Sequence, residues 1–369
     1  MNRIPTKTTF RLSRRVALFL LTPLLLVLTR KARGREAPEG LEEDWIKVDS
    51  RVSLVHLGSI DSFDKTAAGI AAAKLMLDAL ENNNLESAKE AVLTYEKIIP
   101  KENFGGEYTA IQWFGEYLLA SPQQQKALLK EPLDVEFYNF FAKDNFASLK
   151  EYLKRKYDIG ELEDRGSKAA IERERFLEDF ILFNNPRREE WEKTSKMLDS
   201  LNIQPGYTIA DIGSGPGYYT FRFSKLVGPQ GKVLAVDTVE NHLNYIKGVS
   251  EKYGVNNIEL INNTTDNAKL PPEQMDLIYM CSLYHIIYST SLEPVKDRFV
   301  ESMKQALKKE GRLVIVDNGI VEDQTLPYHG PYIAKELIIS QLKYYGFRLI
   351  DQYAFIPQRY VLVFEHSAN

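Results

Sequence analysis

The C-terminal half of this 369-residue chain predicts an α/β fold, a doubly wound, mostly parallel seven-stranded sheet with an antiparallel last strand. An all-α region and an N-terminal apolar leader precede it. Three observations predict the sheet. Short apolar runs alternate with helical segments from residue 208 onward, as in strands covered on both faces. A glycine-rich turn follows the first of those runs. The last two strand-like runs are joined only by Ile356-Pro-Gln-Arg359, too short a link for parallel neighbours.

Length suits two or so domains, and 44% hydrophobic with 27% charged residues can fill a sizeable core. The net charge of −4 hides an asymmetry. The first 35 residues hold nine Lys or Arg and no acid, leaving 38 basic and 51 acidic residues in the remainder. So acidic a body lacks the clustered Lys and Arg that phosphate neutralisation needs, which argues against nucleic acid as a substrate. One cysteine, Cys281, rules out an intramolecular disulfide and a thiolate metal cluster. The five histidines (His56, His242, His285, His329, His366) follow no metal-ligand spacing, so no metal is expected.

The leader, residues 1–35, contains the apolar run Val16 to Thr29 between basic flanks. Fourteen helical residues rise about 21 Å, short of the roughly 30 Å hydrocarbon core. That length suits the apolar centre of an export signal better than a full span. Ser13-Arg-Arg-Val-Ala-Leu18 has the look of a twin-arginine signal, and an acid-free, Arg-rich start also fits an organellar transit peptide. The expectation is a membrane-associated or exported protein, with membrane contact through residues 16–29.

Residues 40–165 read as a helical domain. Ala67 to Leu80 repeats apolar residues at three- and four-residue spacing, and Asn84 can cap a helix over Leu85 to Tyr95. Ile111 to Leu119, Val135 to Phe141 and Phe146 to Tyr157 supply further apolar faces. Tyr95, Trp113, Phe114, Phe137, Tyr138, Phe140 and Phe141 are its expected core. Asp158 to Lys168 marks the boundary, and residues 169–369 form the α/β domain, entered by a helical lead-in from Ala169 to about Leu201.

Within that domain, strands are predicted at Thr208–Ile212, Lys232–Val236, Ile258–Ile261, Met275–Met280, Arg312–Val316, Phe347–Ala354 and Tyr360–Phe364. Helices are predicted at Tyr219–Val227, His242–Tyr253, Val295–Lys308 and Ala334–Tyr345. In such sheets ligands bind outside the carboxyl ends of the strands.

The turn Asp211-Ile-Gly213-Ser-Gly215-Pro-Gly217 lies at that edge. Its glycines permit a tight turn and close backbone approach to a ligand. A dinucleotide fingerprint would need glycine at position 218, which is Tyr218. Asp211, two places before the first glycine, suits a ligand's amino group and would repel a pyrophosphate. Asp237 ends the next strand 20 residues past Gly217, where an acid can accept hydrogen bonds from ribose hydroxyls. Asp266, in the loop after the third strand, can accept from an adenine amino group. Cys281-Ser-Leu-Tyr-His285 follows the fourth strand to the same edge.

From about Ile181 onward the chain resembles class I S-adenosylmethionine-dependent methyltransferases, which close a Rossmann-like sheet with one antiparallel strand. The resemblance rests on Pro186-Arg-Arg-Glu-Glu-Trp191, Asp211 to Tyr219, Gly228 to Asp237, Leu283-Tyr-His285 and the closing Val361 to Glu365. It implies S-adenosylmethionine as cofactor, with Asp211, Gly213, Gly215 and Gly217 at its methionine end, Asp237 at the ribose and Asp266 at the adenine. Cys281-Ser282 departs from the commoner patterns.

Tyr284 and His285 are the candidate catalytic pair, able to orient or deprotonate an acceptor or simply to close the site. His329 would reach the same edge from the loop after the fifth strand. Arg187, Arg188 and Trp191 either cover the site or dock the lead-in to the sheet, and Cys281 reads as a packing residue. The aromatic and aliphatic lining (Tyr284, Ile286, Ile287, Tyr288, Tyr328, Tyr332) points to a small or lipid-like organic acceptor. An NAD(P)-dependent oxidoreductase and a scaffold with a vestigial cofactor fold are the rival readings.

Overall fold

A computed structural model describes residues 55–56, 67–96, 109–160, 164, 166–319, 332–356 and 359–367. The leader, Tyr328 and His329 lie outside these residues. The first described segment, β1 (Val55–His56), pairs antiparallel with β7 (Tyr332–Ile333).

The helical region follows as α1 (Ala67–Asn82), α2 (Leu85–Glu96), α3 (Thr109–Leu119), α4 (Pro122–Leu128), α5 (Pro132–Ala142) and α6 (Ala147–Lys156). Asn84 caps α2 as its position predicts: its Oδ1 accepts from Ser87 N at 3.3 Å. Helix α4 carries no apolar periodicity because none of its residues is buried; a Ser121–Gln124 capping box and Pro122 at its start hold it instead. Helices α1, α2 and α3 meet at Gly115, where a Cβ would stand 2.3 Å from Val92 Cγ2. Tyr95, Trp113, Phe114, Phe137 and Phe141 are the fully buried heart of this core, with Tyr138 and Phe140 packed against it.

The predicted lead-in is three helices, α7 (Lys168–Phe183), α8 (Arg188–Glu192) and α9 (Thr194–Ser200). Pro186 disfavours helix at the residue before it, and Lys193 adopts φ +49°, so the continuous apolar pattern is cut twice. Leu177, Phe180 and Ile181 of α7 complete the helical core, and Phe180 meets Tyr245 of the α/β half with ring centroids 4.9 Å apart.

The strands are β2 (Thr208–Ile212), β3 (Lys232–Asp237), β4 (Ile258–Asn262), β5 (Met275–Cys281), β6 (Leu307–Asn318), β8 (Phe347–Tyr353) and β9 (Arg359–His366). Their order is β4-β3-β2-β5-β6-β9-β8, parallel from β4 to β6, with β9 antiparallel to both neighbours. The remaining helices are α10 (Tyr218–Val227), α11 (Glu240–Tyr253), α12 (Tyr284–Thr290), α13 (Glu293–Ala306) and α14 (Lys335–Tyr344). Alternate residues face opposite sides of the sheet. Ile209, Leu277, Tyr279, Val314 and Val361 pack under Met197 of α9 and Phe223 of α10. Ile212, Met280, Ile315 and Leu362 pack under Phe299 of α13 and Ile338 of α14. Residues 211, 237, 281 and 317 thereby come to one edge.

Candidate active site

The turn after β2 is tied to β3, since Gly213 N and Ser214 N both donate to Val236 O at 2.8 and 3.1 Å. Gly213, Gly215 and Gly217 all adopt positive φ. Their roles differ. A Cβ on Gly213 would lie 2.9 Å from Leu283, and one on Gly217 2.8 Å from Ile246, so both are fixed by packing. At Gly215 the nearest atom is Phe183 at 4.0 Å, which leaves that backbone open to a ligand.

Asp211 is buried, with Oδ2 accepting from Thr220 Oγ1 at 2.6 Å. Burial pushes its carboxyl up to about 7, against the opposing Thr220 bond and the charge of Arg188. Asp237 joins the turn directly: Gly215 N donates to its Oδ2 at 2.8 Å and Val239 N to its Oδ1 at 2.8 Å. His242 Nδ1 lies 3.3 Å from the same Oδ2, and its Nε2 lies 3.3 Å from Asp179 of α7, at ion-pair distance but poorly aligned. Burial opposes the imidazolium, yet these two carboxylates outweigh it and push His242 up to about 9. A carboxylate offers about four acceptor positions, so Asp237 keeps capacity for a ligand hydroxyl.

Two buried acceptors beside the turn have no hydrogen-bond partner among the described residues, Asn184 Oδ1 and Asn263 Oδ1. Asn184 reaches the turn through Nδ2 to Pro216 O at 3.1 Å, and Asn263 N donates to Asp237 O at 3.3 Å. An adenosyl amino acid carries the ammonium and hydroxyl donors that this acceptor-rich cradle needs. Asp266 stands apart, partly exposed. Thr264 and Arg298 hold its carboxylate at 2.8 and 3.1 Å and keep it below the usual carboxylate range.

At the end of β5 the backbone enters α12, a helix absent from the sequence reading. Tyr284 and His285 diverge there. Tyr284 is fully buried toward α14, its hydroxyl donating to Gln341 Oε1 at 2.6 Å. Ile287 joins that core, while Ile286 is exposed. His285 turns to Asp317 at the end of β6: Nδ1 lies 2.7 Å from Oδ1, and the His285 backbone N donates to Oδ2 at 2.9 Å. Asp317 went unremarked in the sequence, although an acid ending a buried strand is the same signal that singled out Asp237. No hydrogen bond engages His285 Nε2 among the described residues.

On the opposite sheet face, Arg188 and Arg359 share the buried Glu192, which also accepts from the Tyr219 hydroxyl. Burial resists the Glu192 charge, but the two guanidiniums hold it down at about 2. Arg187 is elsewhere, paired with Glu116 of α3. Among the described residues no group of three His, Cys, Asp or Glu is placed to hold a metal ion.

A family model described as a methyltransferase domain matches residues 203–345, from just before β2 through α14. The C-terminal half of this chain is a class I S-adenosylmethionine-dependent methyltransferase domain. Its cofactor class is accordingly S-adenosylmethionine. The methyltransferase domain is 27% identical over 121 residues to the ubiquinone/menaquinone biosynthesis C-methyltransferase UbiE of Vibrio campbellii, covering 32% of this chain and 44% of that protein. The same-named protein of Pasteurella multocida is 28% identical over 123 residues, covering 32% and 43%. The chain thus spans less than half the length of the curated relatives it matches. Among solved structures, a SAM dependent methyltransferase from Aquifex aeolicus is 26% identical, covering 48% of this chain and 92% of that one, with a TM-score of 0.43.

Proposed function

We propose that the protein transfers the methyl group of S-adenosylmethionine to a carbon of a small, lipid-like organic acceptor, with His285 as the base. The observation that carries this reading is the His285–Asp317 pair at the same sheet edge as the Asp211 turn. When bound, the cofactor supplies a methyl group already activated on a sulfonium. The chain then has to orient the acceptor, exclude water and take a proton. Asp317 holds Nδ1 and the backbone N of the same residue, which fixes the ring and leaves Nε2 to accept the proton released as a carbon–methyl bond forms. The similar UbiE proteins are named as C-methyltransferases, which supports transfer to carbon. The apolar leader would bring the protein to a membrane, where such an acceptor partitions. Among the described residues no helix is long and apolar enough to cross one.

The test is methyl-tritiated S-adenosylmethionine offered with a panel of hydroquinones, a peptide mixture and RNA. Ring-methylated hydroquinone is the expected product, and His285→Gln should slow its formation by roughly 10²–10⁴-fold while cofactor affinity holds. Label appearing only in peptide would sink the reading.

A further inference from the structure

Both ring nitrogens of the buried His242 face acids. Nδ1 lies 3.3 Å from Asp237 Oδ2, and Nε2 lies 3.3 Å from Asp179 Oδ2. A neutral imidazole carries one N–H and would turn a bare lone pair toward one of the two carboxylates. Only the imidazolium places positive charge and an N–H at both. Burial opposes that charge, yet the two acids outweigh it. Asp237 is on β3, Asp179 is on α7, and the Phe176 ring of α7 lies against the imidazole with centroids 5.8 Å apart.

The contact belongs to a longer seam. Phe176, Asp179 and Phe180 stand three and four residues apart, so they share one face of α7. Phe180 meets Tyr245, which is three residues past His242 on α11. At the end of α7, Asn184 Nδ2 donates to Pro216 O of the glycine-rich turn at 3.1 Å. Beyond His242, the Asp237 carboxylate is held at both oxygens. Oδ2 accepts from Gly215 N beside the imidazole, and Oδ1 accepts from Val239 N, each at 2.8 Å. Its remaining lone pairs are thereby fixed in direction.

We propose that His242 and Asp179 are positioning residues for the ribose end of the cofactor, and that through them the helical region sets the domain's affinity for its adenosyl ligand. The imidazolium orients Asp237 and offsets its charge, while Asp179 holds the ring from the far side. Linkage is reciprocal, so a ligand that engages Asp237 tightens the α7 contact as much as that contact tightens the ligand. The inference rests on Asp237 receiving the ribose.

Calorimetric titration of the full chain tests it with S-adenosylhomocysteine and its 2′,3′-dideoxy analogue, which offers Asp237 no hydroxyl. Asp179→Asn removes the outer carboxylate at a side chain 35% exposed, where the fold tolerates the change. It should weaken S-adenosylhomocysteine roughly fivefold or more and leave the affinity of the dideoxy compound unchanged. His242→Gln should show the same selectivity, and adding Asp179→Asn to it should cost nothing further. Equal losses for both ligands would mean that the seam only supports the fold. Unchanged affinity for S-adenosylhomocysteine in Asp179→Asn would mean that the bridge does not reach the ligand. Either result overturns the proposal. Wild type that binds the two compounds equally, or binds neither, removes the ribose assignment and the proposal with it.

Discussion

Asp211 is a buried carboxyl pushed up to about 7, so near neutral pH it is close to half protonated before a ligand arrives. A ligand ammonium favours the ionised form. Affinity for S-adenosylhomocysteine should therefore rise by up to about tenfold per pH unit below 7 and level off above it. Calorimetry from pH 5.5 to 8.5 checks this, and Asp211→Asn should flatten the profile. His242 has the opposite sign. A histidine raised to about 9 stabilises the fold while pH is below its free value of about 6.5, and that contribution fades as pH climbs through about 9. Thermal melts across that window should show a falling Tm in wild type and a flatter line in His242→Gln. Of these two residues only Asp211 was legible as a site residue, because its place before the glycines is local. His242 acts through Asp179, which lies 63 positions earlier on α7, and no spacing rule links the two.

At the scale of elements, strands β2, β3 and β5 were legible almost to the residue because parallel strands buried on both faces are continuous apolar runs. Three features were not. Helix α4 buries nothing, and α12 begins inside the motif Cys281 to His285, read only as the segment that follows the fourth strand. The lead-in, continuous in its apolar pattern, is divided by Pro186 and by the left-handed Lys193. The most consequential element is α7, which completes the helical core through Phe180 and touches the α/β half at Tyr245. Phe180→Ala should cost roughly 3–5 kcal/mol, read from denaturant midpoints at unchanged slope. A cost under about 1 kcal/mol would mean that α7 is not the joint described here.

For the whole molecule, residues 54–369 form one compact unit. In a variant with Trp45 and Trp191 replaced by phenylalanine, Trp113 fluorescence, reporting the helical core, and far-UV circular dichroism should consequently give coincident unfolding curves. Separate midpoints would show that the two halves melt independently. The topology also explains what the sequence could and could not tell. Strand order and crossovers carry Asp211, Asp237, His285 and Asp317 to one edge, and three of these were legible from motif spacing. Asp317, Arg359 and Glu192 became site candidates only when β6, β9 and α8 came together in space. The central claim is that the Asp211 turn and Asp237 hold an adenosyl amino acid, and titrating wild type and Asp237→Ala with S-adenosylhomocysteine tests it most directly. Saturable binding that weakens at least about tenfold in the variant is predicted. No binding to wild type, or equal affinity in a correctly folded variant, would contradict it.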